Sequence, residues 1–341
     1  MLKKISFILL LVAAVYTAKA QTEEVLGFVE EGVVLHNKGD FKGAIEKFEE
    51  ALKIDKESAL VNYEIANTYF AMQQFDDAIK YADVIINAKK EYVAQAYIIK
   101  GSALDMQGKT DDAIRAFKKG IKINPKNYLL HFNMALVAFN GKDYKTAQEA
   151  AIESIKIKPE HSTSHLLLGY VAAAQNQRTP TILAMYYFLL LEPNTTRTQS
   201  ALELLNKNLS KGVTREGSKQ ININMPGGDD ENGFRSVELM ISMLEATKNI
   251  EENLGKTKDE LFVKNTQSLF KMLGEVKEKK KNFWWDFYVS FFSSMATAQH
   301  TEAFCYYITQ TNESEEIAKW IKENPKKIGD FSDWYGTYEI K

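Results

Sequence analysis

The apolar and polar positions of this chain repeat as short helical pairs. The clearest copy, Ala94 to Pro125, reads AQAYIIKGSALDMQGKTDDAIRAFKKGIKINP. Pro125, Pro159 and Pro193 stand 34 residues apart, each closing a copy. Small residues recur at Gly32, Ala66, Gly101, Ala135 and Gly169, in steps of 34, 35, 34 and 34. A second small series, Ala44, Ala78, Ala113 and Ala147, follows the first by 12 residues. This period, with small residues at two fixed points, predicts a helix-turn-helix solenoid.

Each copy reads as helix A, a tight turn, helix B and a second turn. In the first copy, helix A runs roughly from Glu24 to Asn37, and Asp40 is placed to cap helix B. Phe41, Phe75 and Tyr144 share one repeat position, just inside helix B, and Phe48 and Phe117 fill the next layer. The small pairs let helix A cross helix B closely. The fifth copy departs from this pattern: Thr181 replaces the second small residue, and Thr179-Pro180 reads as an N-cap followed by a first-turn proline. Its helix B, TILAMYYFLLLEP, is apolar on every side and so must be covered on every side. Either a helix over Thr195 to Leu209 or the C-terminal region provides that cover.

Beyond the repeats, residues 210–232 read as a linker with one short strand at Ile221, Ile223 and Met225, either mobile or docked on the repeats. Residues 233–341 return to helical spacing. Phe234, Val237, Ile241 and Leu244 form one stripe, and Thr257 to Glu260 is a capping box for the next helix. FWWDFYVSFFSSMA, from Phe283 to Ala296, is a dense aromatic block, and the tail carries Phe331, Trp334, Tyr335 and Tyr338. The expected organisation is a signal at 1–20, five repeats with a covering helix over 24–209, a linker over 210–232, and a helical, aromatic-rich domain over 233–341.

The first twenty residues change the picture of where the protein works. Lys3 and Lys4 precede an apolar run from Ile5 to Tyr16, and Ala18-Lys19-Ala20 is a small-x-small cleavage site. The mature chain is therefore expected to begin at Gln21 and to be exported, periplasmic or secreted. The apolar run is short for a membrane span, and no later stretch qualifies, so no integral membrane segment is expected after signal removal. Cys305 is the only cysteine and has no intramolecular disulfide partner. The net charge of -2 gives no bulk attraction to nucleic acid or to an acidic membrane.

The repeats resemble the tetratricopeptide repeat (TPR) family over roughly residues 24 to 194. The family's alternation of large and small residues is matched by Tyr97, Gly101, Leu104, Ala113, Phe117, Gly120 and Pro125. The resemblance implies an all-α, TPR-type right-handed helical-hairpin solenoid, here followed by a smaller helical C-terminal domain. It also implies a concave groove that holds a protein or peptide partner. The family's groove positions fall on Val29, Val33 and His36, then on Tyr63, Asn67 and Phe70. In the third copy they fall on Gln95, Ile98, Ser102 and Asp105. Phe132, Leu136 and Phe139 follow, then Leu166 and Tyr170. The Lys and Asn with which TPR co-chaperones clamp a C-terminal carboxylate are replaced by Val29 and Val33. The groove is expected either to take an external apolar segment or to be filled by the chain itself.

Other constellations read as structure. His161 and His165 lie one helical turn apart, but two ligands are too few for a metal site, and His131 and His165 share a packing position. The Gly-Lys-Thr triplets at 108–110 and 255–257 lack the earlier glycine of a phosphate loop. Asp76-Asp77 and Asp111-Asp112 read as first-turn acids. No catalytic order of nucleophile and base is present, and no cofactor motif is found, so a non-enzymatic scaffold or adaptor is the leading expectation. Trp284, Trp285 and Tyr288 are a candidate partner surface. An alternative places a small-ligand site or an enzyme in the C-terminal domain, around Asp286, His300 and Glu302. A third makes the chain a structural subunit of an envelope complex.

Overall fold

The computed structural model describes residues 22–89, 91–216, 220–224, 232–248, 253, 255–277, 281–312 and 314–339. The expected export signal, and part of the expected linker with Met225, lie outside them. Among the described residues the chain is all-α apart from one short hairpin, and it packs as two compact units that divide between residues 157 and 158.

The first unit holds four helix pairs: α1 (22–37) with α2 (Phe41–Ile54), α3 (Ala59–Ala71) with α4 (Phe75–Ala88), α5 (Val93–Met106) with α6 (Thr110–Ile123), and α7 (Tyr128–Asn140) with α8 (Tyr144–Ile157). Asp40 caps α2, its carboxylate accepting from the Gly43 amide at 3.0 Å. The crossings are built by size. A Cβ on Gly32 would fall 2.4 Å from the Phe48 ring, and one on Gly101 would fall 2.5 Å from the Phe117 ring. In the copies between, Ala66 and Ala135 replace glycine, and Ala82 and Ala151 stand where those phenylalanines do. All four alanines are fully buried. Successive A helices pack side by side, α3 against α5 and α5 against α7. His36 joins α1 to α3 through the Thr68 hydroxyl at 2.9 Å.

The second unit begins with the fifth pair, α9 (Ser162–Ala174) and α10 (Arg178–Leu191), followed by α11 (Thr198–Ser210). Strands β1 (Val213–Glu216) and β2 (Gln220–Ile223) then pair antiparallel, and both touch α12 (Arg235–Thr247). The lone strand expected in the linker is thus one arm of a hairpin, because Val213 to Glu216 supplies the partner a single strand needs. Next come α13 (Lys258–Val276), a π-helical turn (Trp284–Val289), α14 (Ser290–Thr297), α15 (Thr301–Ile308), α16 (Glu315–Glu323) and α17 (Pro325–Thr337). The capping box at Thr257 and Glu260 forms as spaced.

One local expectation is corrected. Helix α10 starts at Arg178, with Gln177 at the cap, and the Thr179 hydroxyl is buried without a partner. Asn324-Pro325 ends α16 and at once starts α17, because proline fits a first helical turn. The division at 157/158 also differs from the boundary expected after residue 209. Its cause is α10, in which every residue from Arg178 to Leu190 is buried. Its covers come from both directions: α9 precedes it, α11 places Ala201, Leu202 and Leu205 against it, and α12, α13, α15 and the π turn add further cover.

Candidate functional site

The expected groove residues are carried mainly by three neighbouring A helices of the first unit. On α3, Tyr63, Asn67 and Phe70 follow one another by four and three residues, and all are half-buried. On α5, Gln95 is exposed while Ile98 and Asp105 are half-buried. On α7, Phe132 and Phe139 are half-buried, and Leu136 is 37% exposed. Leu129 on α7 and Met106 at the end of α5 leave 36% and 60% of their surfaces in water. The opposite faces of the same helices are closed: Val61, Ile65, Ala96, Ala103, Leu130 and Val137 are buried. One side of each A helix thus makes the core, and the other offers rings and aliphatic carbons to solvent.

Ring contacts hold these side chains in place without covering them. Tyr63 stacks on Tyr92 with centroids 5.4 Å apart, Phe70 meets Phe75 edge-on at 5.7 Å, and Phe139 tilts against Tyr144 at 5.9 Å. Burial raises the Asp105 and Glu64 carboxyls above their ordinary values. Tyr170 sits on α9 and therefore in the second unit, where it is half-buried.

Trp284, Trp285 and Tyr288 do not form a partner surface. They are exposed by 2%, 1% and 0%, because the π turn feeds an aromatic core. In that turn the Ser290 amide reaches back five residues to the Trp285 carbonyl, which adds one residue to the turn and lets neighbouring rings face inward. Trp285 stacks on Phe234 at 4.6 Å and donates its indole N–H to the Asn232 carbonyl. The Tyr288 hydroxyl lies 2.6 Å from His165 Nδ1, while His165 Nε2 lies 2.7 Å from the Pro159 carbonyl. Complete burial pushes the His165 pKa down to about 3, so the ring is neutral, with Nε2 donating to Pro159 and Nδ1 accepting from Tyr288. His131 makes the same bond one repeat earlier, Nε2 to the Pro125 carbonyl at 3.0 Å. These histidines tie a helix A to the proline that closed the preceding copy.

The residues named for a C-terminal ligand site separate. His300 and Glu302 line an open polar cleft of about 1260 Å³ bounded by α13, α14, α15 and α17. Asp286 is exposed and lies outside it. Glu302 is engaged by Lys327 Nζ at 2.7 Å.

The reading of the sequence missed Arg178. It is completely buried, and its guanidinium donates to the Asn208, Leu209 and Glu238 carbonyls and to the Ser242 hydroxyl. The available signal was a guanidinium opening an otherwise apolar helix.

Residues 35–100 and 94–127 match family models described as tetratricopeptide repeat. The small glutamine-rich tetratricopeptide repeat-containing protein 2 of Saccharomyces cerevisiae is 29% identical over 126 residues, which cover 36% of this chain and 34% of that protein. The Hsp70-Hsp90 organising protein of Plasmodium falciparum is 25% identical over 122 residues, 33% of this chain and 21% of that one. The chain spans about a third or less of the length of these curated relatives. Among solved structures, one of MamA superposes with a TM-score of 0.40 at 27% identity, covering 52% of this chain and 95% of that one. One of pilF from Pseudomonas aeruginosa gives 0.46 at 16% identity, covering 56% and 90%.

Proposed function

From a chain whose residues 35–127 are tetratricopeptide repeats, we propose a non-catalytic, exported scaffold that holds a segment of a partner protein on the A-helix face of its first unit. One observation carries this reading: Tyr63, Phe70, Ile98, Phe132, Leu136 and Phe139 line neighbouring helices and stay partly in water although the opposite face of each helix is closed. Solvent-facing rings and aliphatic side chains in such a row mark an interaction surface. Each one covered by a ligand contributes about 1.5–3 kcal/mol before the entropy of association is subtracted. Asn67 and Gln95 supply amide groups that can fix the ligand's backbone.

The test is the double substitution Phe70→Ala and Phe139→Ala in the full chain. With unchanged helicity by circular dichroism, capture of the partner from cell-envelope extract falls at least about tenfold, the loss of roughly two half-buried rings. Equal capture by the variant rules out this face. Export is tested separately, by mass spectrometry of the mature chain from fractionated cells. A chain beginning at Gln21 outside the cytoplasm supports it, and a cytoplasmic chain that keeps its first twenty residues overturns it.

A further inference from the structure

Charge is distributed unevenly between the two helix sets of the first unit. Helices α1, α3, α5 and α7 carry Glu23, Glu24, Glu30, Glu31, Glu64 and Asp105 but only one cation, Lys100. Lys100 is turned to a B helix, where its Nζ lies 2.6 Å from Asp83. All other Lys and Arg of these eight helices lie on the B helices. Glu31 is turned the same way, to Lys47 of α2 at 2.5 Å, and the A helices still keep an excess of acidic over basic side chains.

Among these acids, Glu64 stands out. It occupies the same repeat position as Glu30 on the neighbouring A helix, one turn before Thr68, which bonds to α1 through His36. It is half-buried, yet among the described residues no donor to its carboxylate and no nearby cation is found. A carboxylate taken partly out of water without a partner costs stability. Beside it are the stacked rings of Tyr63 and Tyr92, and its charge is close enough to raise the Tyr63 pKa. Tyr92 holds that stack from a left-handed backbone, φ 60° and ψ 8°, a conformation that disfavours bulky side chains. An unpaired carboxylate next to tyrosine faces is the chemistry that receives a cationic side chain.

We propose that this face takes a basic, apolar segment of the partner protein, with a Lys or Arg of that segment seated on Glu64 and the Tyr63–Tyr92 stack. The assignment rests on the A-helix face being the binding surface, and it adds the partner's charge.

The test pans a displayed library of random linear peptides on the full chain and, in parallel, on its Glu64→Gln variant. On the wild-type chain, recovered peptides carry Lys or Arg at a fixed spacing from apolar residues. On the variant the apolar positions persist and the basic one is lost. In solution, changing the basic residue of a recovered peptide to Gln weakens wild-type binding about tenfold and binding to the variant less than about twofold, the size of a partly desolvated charge contact. Melting of Glu64→Gln at or above the wild-type temperature confirms that the variant is folded. Apolar peptides without a basic position, or a basic preference kept by the variant, overturn the charge assignment and leave the face as a binding surface. No enrichment on the wild-type chain overturns both.

Discussion

At the scale of single residues, the second unit is pinned by two buried polar side chains that each complete a network. Among the described residues no carboxylate contacts Arg178; it answers the last carbonyls of α11, where the helix dipole is negative, and a carbonyl and a hydroxyl of α12. Burial lowers its pKa, and the Glu238 and Glu245 carboxylates oppose that shift. Arg178→Met removes the charge but strands those carbonyls, and it is expected to cost about 2–4 kcal/mol in a urea titration. His165 gives a pH signature. Its folded pKa of about 3 lies below the ordinary imidazole value of about 6.5, so at pH below 6.5 the unfolded chain binds a proton that the native chain refuses. Stability from this group is complete above pH 6.5 and is lost as pH falls towards 3, at a slope of up to about 1.4 kcal/mol per pH unit. Denaturation midpoints measured across that window should flatten in His165→Phe relative to wild type.

At the scale of helices, each pair is specified by matched sizes at its crossing. Gly32 faces Phe48, Gly101 faces Phe117, and Gly169 faces Met185. Gly101→Ala drives a methyl into the Phe117 ring and should cost about 1–3 kcal/mol, whereas Phe117→Ala opens a cavity worth about 3–5 kcal/mol. Made together, they recreate the Ala–Ala pairing of the second and fourth copies, so the double variant should lose less than the sum. A double-mutant cycle by chemical denaturation checks this, and strict additivity would show that the two positions are energetically independent.

At the scale of the molecule, α10 decides where the units divide. Tyr186 packs on Phe270, Phe292 and Phe304, and Tyr187 on Phe287 and Phe291. A chain ending at residue 209 keeps α11 but strips those rings away. Its fifth pair should bind a hydrophobic dye and lose its near-ultraviolet dichroism, whereas a chain ending at 157 should unfold cooperatively. Sharp, dye-free unfolding of the longer fragment would mean that α11 alone is sufficient cover.

How much could be read in advance follows from range. Period, small-residue series, caps and helix spacing are local, set by contacts within a few turns, and the sequence by itself determined the helical pairs, the Asp40 cap and the Thr257 capping box. It also required that α10 be covered, because an apolar helix cannot face water. Which segments cover it was a matter of tertiary structure, since the rings of Phe270, Phe291, Phe292 and Phe304 reach it from far along the chain. For the same reason Trp284, Trp285 and Tyr288, dense enough in sequence to suggest a surface, prove to be core. Glu64 stood unremarked in a helical stripe; only the packing around it left its carboxylate half out of water with no partner among the described residues. Local spacing sets which face a residue lies on, and the distant chain sets whether that face is closed.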